Sequence, residues 1–199
     1  MRHSVVRRWA RGLGAAALGL AGTAQAGVVW DESVQGDLSG QAASPTALTL
    51  SPGSNQVLGA SGNLGAGTDL DFFTFTIPAG QQMVSLWVLP STAPESLGFL
   101  GIGAGPQITG FTASALMGWI HYGAFDAGSD ILPRIGAGAG ATGFTPPLGA
   151  GTYSVWIQDF DFGASPYAFD MVLAAVPEPP AALTLLAGLG LLGLRRRRR

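Results

Sequence analysis

The acidic residues of this chain come in close pairs, and carboxylates at that spacing can hold a hard cation. Asp69 and Asp71 stand at i and i+2. In an extended chain they share a face and can share an ion such as calcium. Asp159 and Asp161 repeat the spacing within Gln158-Asp159-Phe160-Asp161-Phe162-Gly163, with Asp170 further on. Calcium takes about 6–8 oxygen ligands, more than either pair shows by itself. The expectation for Asp69 and Asp71 is therefore that they solvate a strand end and its loop. For Asp159 and Asp161 it is a polar hairpin edge that discourages strand-to-strand association. The alternatives are a cation site at each pair, or one site where the two pairs meet in space.

Catalytic chemistry has fewer candidates. Glycoside hydrolysis needs two carboxyl groups flanking one bond, and the glutamates of the central region, Glu32 and Glu95, sit in no recognisable motif. His121, in Trp119-Ile120-His121-Tyr122, could serve as a general base. A lone histidine among aromatics is more often a packing residue. The only other histidine is His3 and there is no cysteine, which excludes multi-histidine zinc sites and a two-histidine metalloprotease helix. Any serine-type triad would have to use His121. Trp87, Trp119, Tyr122 and Trp156 could stack on sugar rings, although aromatics alternating along strands usually fill a core. The expectation is a non-catalytic protein with no catalytic residue assigned and no cofactor beyond calcium.

The elements that must position these residues lie between two atypical ends. Arg2, Arg7, Arg8 and Arg11 form a positive start, Leu13 to Ala21 is a short apolar core, and Ala24-Gln25-Ala26 is a small-x-small site. This is the layout of a secretory signal peptide, with cleavage by signal peptidase expected after Ala26. At the other end Pro177-Glu178-Pro179-Pro180 precedes an uncharged apolar run, Ala181 to Leu194, and then Arg195, Arg196, Arg197, Arg198 and Arg199. The prolines separate the tail from what folds before it. The apolar run can enter a bilayer as a helix, and the arginines stay on the cytoplasmic side and stop transfer. Its 14 residues are short for a lasting anchor, which needs roughly 20.

This three-part tail resembles the PEP-CTERM sorting signal of Gram-negative bacteria, on Pro177, Glu178 and Pro179, the apolar run and the arginine cluster. The resemblance implies recognition and processing by a membrane-embedded exosortase. It implies transient residence in the inner membrane, then the cell envelope, the surface or the extracellular polysaccharide matrix. Three parts are thus expected: a signal peptide over 1–26, a body over 27–176 of single-domain size, and a sorting signal over 177–199.

Charge narrows the body's partners. Of 10 basic residues, four precede Gly27 and five close the chain, leaving Arg134, while 11 of the 12 acids lie in the body, for a net charge of −10. Such a body repels phosphate backbones, so nucleic acid is excluded as a partner. It suits divalent cations or basic partners.

Strand signals dominate the body. Asp71 to Ile77 alternates, with Phe73, Phe75 and Ile77 on one face, and Pro78 to Gln81 reads as a turn. Met83 to Leu89 reads as a strand with Val84, Leu86 and Val88 on one face and Met83, Trp87 and Leu89 on the other, covered on both sides. Thr152 to Gln158 and Tyr167 to Leu173 alternate again. Ala47 to Leu50 and Asn55 to Leu58 are weaker strands, and Ala113 to Tyr122 is ambiguous between strand and short helix. Glycine is about twice its usual share, and runs such as Ile135 to Gly143 read as long loops. Short strands with Gly/Pro turns predict an all-β, antiparallel β-sandwich.

Asp69-Leu70-Asp71-Phe72-Phe73-Thr74-Phe75 with Ile77-Pro78-Ala79-Gly80-Gln81, and later Gly149-Ala150-Gly151-Thr152-Tyr153-Ser154-Val155, resemble the two core motifs of bacterial pre-peptidase C-terminal (PPC) domains. That resemblance implies a jelly-roll-like β-sandwich appended to secreted proteins, some relatives of which bind calcium or matrix polymers. The combined expectation is an exported structural protein of the envelope or matrix. A polysaccharide- or calcium-binding adhesion module is the alternative, and a secreted hydrolase comes third.

Overall fold

The computed structural model describes residues 26–63, 67–90, 97–159 and 163–177. Ala24, Asp161, Glu178, Pro179 and Arg195 to Arg199 lie outside the described residues, as do the expected signal peptide and C-terminal apolar helix. Ala26 and Pro177 stand at the two ends of what is described, both exposed. Among the described residues no helix is long and apolar enough to cross a membrane.

Among the described residues there are nine strands: β1 (Gly27–Asp31), β2 (Thr46–Leu48), β3 (Gly53–Asn63), β4 (Thr68–Ile77), β5 (Gln81–Val88), β6 (Gly98–Ala104), β7 (Gly118–Tyr122), β8 (Gly151–Asp159) and β9 (Gly163–Ala175). Two short helices, α1 (Glu32–Gln35) and α2 (Leu132–Gly136), join them. The main path runs β5-β9-β3-β4-β8-β6-β7, with β1 added to β3 and β2 to β4. Both additions are parallel, and the other pairings are antiparallel. The all-β, mainly antiparallel class expected from the strand pattern is what the chain forms.

β3 and β4 pair only at their adjoining ends, at Gly62–Asp69 and Asn63–Thr68. The sheet therefore folds over there, and its two halves enclose one core. Val57, Phe169 and Leu86 enter that core from one half, and Phe73, Leu100, Ile102, Val155 and Ile157 from the other. Tyr122 on β7 meets Phe169 on β9 edge-on, with ring centroids 5.0 Å apart. Strands distant along the sheet path thus touch across the interior. Phe73, Phe75 and Ile77 face inward as the alternation of β4 predicts, and Tyr167, Phe169, Met171 and Leu173 do the same on β9.

Three local expectations need correction. On β5 a bulge between Met83 and Ser85 shifts the alternation, so Met83 joins Leu86 and Val88 inside. Val84 and Trp87 are turned out and exposed, so that strand is not covered on both sides. The strand pattern assigns nothing to the Gly-rich stretch after residue 97, yet β6 lies there and pairs with β7 on one side and β8 on the other. The ambiguous stretch is both things in sequence, a 3-10 turn at Ala113–Ala115 followed by β7.

Candidate cation site

Glu32, Asp37 and Asp71 converge where the N-terminal segment crosses β3 and β4. Each can offer one carboxylate oxygen, and these three atoms all lie within 4.8 Å of one another. The three come from separate pieces of chain, and each has a local reason for its place.

Glu32 is the first residue of α1. Asp31 caps that helix, accepting from Ser33 N–H at 2.9 Å, while Gln35 Oε1 accepts from Asp31 N–H. A side-chain acceptor at this position satisfies one of the helix's unpaired N–H groups. Parallel pairing of β1 with β3 sets Asp31 opposite Leu58, so the next side chain reaches the middle of β3. There Glu32 Oε2 accepts from Ala60 N–H at 2.8 Å, and Oε1 accepts from Leu38 N–H at 3.2 Å and from the Tyr167 hydroxyl at 3.1 Å. The approach requires Gly59. A Cβ at that position would stand 2.4 Å from the Tyr167 hydroxyl oxygen and 2.6 Å from Glu32 Cδ.

Asp37 follows in the loop to β2 and is exposed. The loop is fastened on both sides of it. Leu38 is buried in the core, and Ser39 bridges to β4, its carbonyl accepting from Phe72 N–H at 2.8 Å.

Asp71 comes from β4 and is fully buried. Neither of its carboxylate oxygens has a hydrogen-bond partner among the described residues. A buried carboxylate without partners is costly in its charged form. Burial pushes the Asp71 carboxyl up to about 9, with Glu32 and Asp69 adding to the rise and the nearby Tyr167 hydroxyl offsetting part of it. Burial, then Asp71 and Glu32, also push the Tyr167 phenol well above its ordinary value, so it stays a hydrogen-bond donor. The site thus has two ways to neutralise Asp71, a proton or a cation.

The donor set is all hard oxygen, and the facing carboxylates suit a divalent ion with oxygen preference, calcium above all. Glu32 is already oriented by three donors. Asp37 is open to solvent, and Asp71 has both oxygens free to ligate. Charge favours occupation as well, since three carboxylates repel one another until a cation joins them.

The expected pairs are only partly brought together. Asp71 does not solvate a strand end, because β4 lies inside the sheet and the residue is buried beneath the N-terminal segment. Asp69 stands beside the cluster, half-buried, its carboxyl raised by burial and then by Asp37 and Glu32. Asp159 is not at a sheet edge. It ends β8, which runs between β4 and β6, and it is buried. Asp159 and Asp71 both act on Tyr122, whose phenol is raised by burial first and by these two acids next. The two regions therefore approach each other, although Asp159 is not one of the three converging carboxylates. Asp170 has a different task, pinning β3 to β9 by accepting from Ser54 Oγ at 2.7 Å and Asn55 N–H at 2.9 Å.

Glu32 and Asp37 carried no local signal as ligands. Their separation from Asp71 is bridged only by the β1–β3 pairing and the Ser39–Phe72 bridge, which no short motif encodes. Of the aromatics, Tyr122 is core, Trp87 is exposed on β5 with its indole N–H given to Ser85 Oγ at 2.8 Å, and Trp119 and Trp156 lie together on another face. His121 is exposed there and meets Phe99 and Trp119 edge-on. No protein-family model, curated protein or solved structure matches this chain.

Proposed function

We propose that this chain is an exported, non-catalytic protein of the cell envelope or extracellular matrix whose folded body is closed by a calcium ion held by Glu32, Asp37 and Asp71. The observation that carries the cation reading is Asp71: buried, with no hydrogen-bond partner on either oxygen among the described residues beyond the nearby Tyr167 hydroxyl, and facing two further carboxylates. The ion would tie the N-terminal segment to β4 in the middle of the sheet. Calcium is abundant outside cells, so the exported body would meet it on leaving the cytoplasm.

Export and sorting rest on the sequence ends: the signal-peptide layout up to Ala26, and the tail of Pro177-Glu178-Pro179, apolar run and arginines that resembles an exosortase substrate. In this reading signal peptidase and exosortase are the processing partners, and the inner membrane holds the chain only until the tail is removed. A jelly-roll-like sandwich of the PPC kind is the finer description of the fold that fits the two motifs quoted above.

Calcium added to chelator-stripped protein tests the cation reading. Saturation at 100 times Kd stabilises a protein by about 2.7 kcal/mol, so the melting temperature should rise clearly and stay flat in Asp71→Asn. An unchanged melting temperature in the wild type would remove the calcium reading. Intact mass of the native protein by cell fraction tests the sorting reading separately. A body starting at Gly27 and ending near Pro177 is expected in the envelope or medium. Retention of Arg195 to Arg199 in the membrane would overturn it.

The adhesion-module alternative has its own supporting observation, an aromatic cleft on the far side of the sheet.

A further inference from the structure

The face of β6, β7 and β8 turned away from the main core carries a second apolar cluster. Registers place Gly101 opposite both Trp119 on β7 and Trp156 on β8, and Phe99 opposite His121. Alternation then sends Leu100, Ile102, Ile120, Val155 and Ile157 into the main core and leaves Phe99, Trp119, His121 and Trp156 on the outer face. The loop after β6 returns over this face. Leu116 lies over Gly101 and Ile108 over Gly103, each with a methyl carbon 2.9 Å from where a Cβ would be. Glycine keeps the floor flat enough for the loop to lie down.

The loop does not cover everything. A cavity of about 280 Å³ remains, walled by Phe99, Phe111, Leu116, Trp119, His121 and Trp156. Its walls are rings held in place. Phe99 packs on Trp156 at 4.6 Å between centroids and stacks on Trp119 at 6.0 Å. Phe111 stands edge-on to Trp156 at 5.1 Å. The Trp119 indole N–H donates to Ala139 O at 3.0 Å, which fixes its plane.

Two features set this patch apart from a plain core. Phe111 is 60% exposed and His121 is exposed as well, so large ring surface is left in water with no gain to folding. The Trp156 side chain is more than nine-tenths buried, yet its indole N–H has no acceptor among the described residues. An unmet donor of that kind costs about 1–3 kcal/mol.

We infer that this cleft binds a neutral sugar unit, as part of an oligosaccharide or polysaccharide, stacked between Trp119, His121 and Phe111. A pyranose has the required chemistry. Its C–H-rich face suits the electron-rich faces of aromatic rings, and its hydroxyls can exchange hydrogen bonds with the exposed His121 and Thr112. Charge chooses the neutral kind. Among the described residues no acidic or basic side chain other than His121 lines the cleft, and a body of net charge −10 repels uronic-acid or sulfated polymers. At about 280 Å³ the cavity lies just below the roughly 300–1,000 Å³ typical of ligand sites, which suits one ring with its neighbours outside. This inference uses none of the cation ligands, so either reading can fail alone.

The test is titration of the full-length protein in detergent with cellohexaose, laminarihexaose and chitohexaose, by calorimetry and tryptophan fluorescence, with polygalacturonate as the anionic comparison. At least one neutral hexaose should bind saturably in chelator as well as in calcium. Trp119→Ala should weaken it at least tenfold, and so should His121→Ala, an exposed position whose variant should keep the wild-type melting temperature. Trp87→Ala, on β5, should bind as the wild type does. Failure of all three hexaoses to bind overturns the inference. So does binding that survives both cleft variants, or preference for polygalacturonate. Concentration-dependent self-association lost in Phe111→Ala, without sugar binding, would assign the exposed ring to a protein contact instead.

Discussion

Asp71 offers the sharpest quantitative prediction, because a proton and a calcium ion compete for the same two oxygens. In cation-free protein its carboxyl is pushed from 3.8 up to about 9, by burial first and then by Glu32 and Asp69. A folded-state value above the unfolded one means that the folded protein keeps a proton the unfolded chain releases. This contribution is complete below about pH 4 and is lost progressively as pH rises toward 9, by slightly over 1 kcal/mol per pH unit. Between pH 4 and pH 7 the loss amounts to roughly 4 kcal/mol, a large part of the 5–15 kcal/mol of a typical domain. Calcium reverses the trend by replacing the proton. Each ion bound near pH 7 should release about one proton, and the apparent Kd should tighten roughly tenfold per pH unit from 5 to 8. The assay is denaturant unfolding at pH 5, 6, 7 and 8, in chelator and in saturating calcium, for the wild type and Asp71→Asn. Other carboxylates also titrate, and the wild-type-minus-variant difference isolates Asp71. That difference should slope downward with pH in chelator and flatten in calcium. A difference independent of pH in chelator, or a calcium affinity that ignores pH, would refute the reasoning.

Three further outcomes follow from other parts of the molecule. Gly59→Ala drives a methyl group against the Tyr167 hydroxyl and the Glu32 carboxyl group, so it should cost about 1–3 kcal/mol in chemical denaturation and weaken calcium binding in the same protein. Asp126 is buried, pairs with Arg134 and accepts from Gly123 N–H at 3.1 Å; Asp126→Ala should therefore destabilise by about 1–3 kcal/mol, and a neutral result would mean that the loop after β7 contributes little. Ile102 is fully buried on β6, and Ile102→Ala should cost about 2–5 kcal/mol by thermal or denaturant melting, whereas a surface-like effect would contradict the placement of β6 inside the sheet.

The strands with strict alternation were legible from sequence. β4, β8 and β9 each carry a run of large apolar residues at every second position (Phe73, Phe75 and Ile77; Tyr153, Val155 and Ile157; Tyr167, Phe169, Met171 and Leu173), and those runs are the ones that enter the main core. β6 was hidden because three of its seven residues are glycine, which erases the apolar period while the backbone still pairs on both sides. Two of those glycines answer to neighbours well beyond the strand, Gly101 to Leu116 and Gly98 to Tyr122, and no short window contains that information. β5 was half legible. Its strand was expected, but the bulge at Met83–Ser85 exchanged the faces of Met83 and Val84. Parallel β1 left even less trace, having only five residues and no hairpin to announce its partner. The site divides in the same way. Asp71 was visible as a carboxylate in a quoted motif, whereas Glu32 and Asp37 become ligands only through the β1–β3 pairing and the docking of Ser39 on Phe72. Burial of Asp71 and Asp159 could not be read either, because both depend on which strands lie inside the sheet.

The most direct measurement of the central claim is a crystal structure grown with calcium, with an anomalous difference map to locate the ion. The account predicts a peak among Glu32, Asp37 and Asp71, with carboxylate oxygens about 2.3–2.6 Å away and Asp71 contributing at least one of them. A map with no peak there, and Asp71 instead sharing a proton with a neighbouring carboxylate at hydrogen-bond distance, would contradict it.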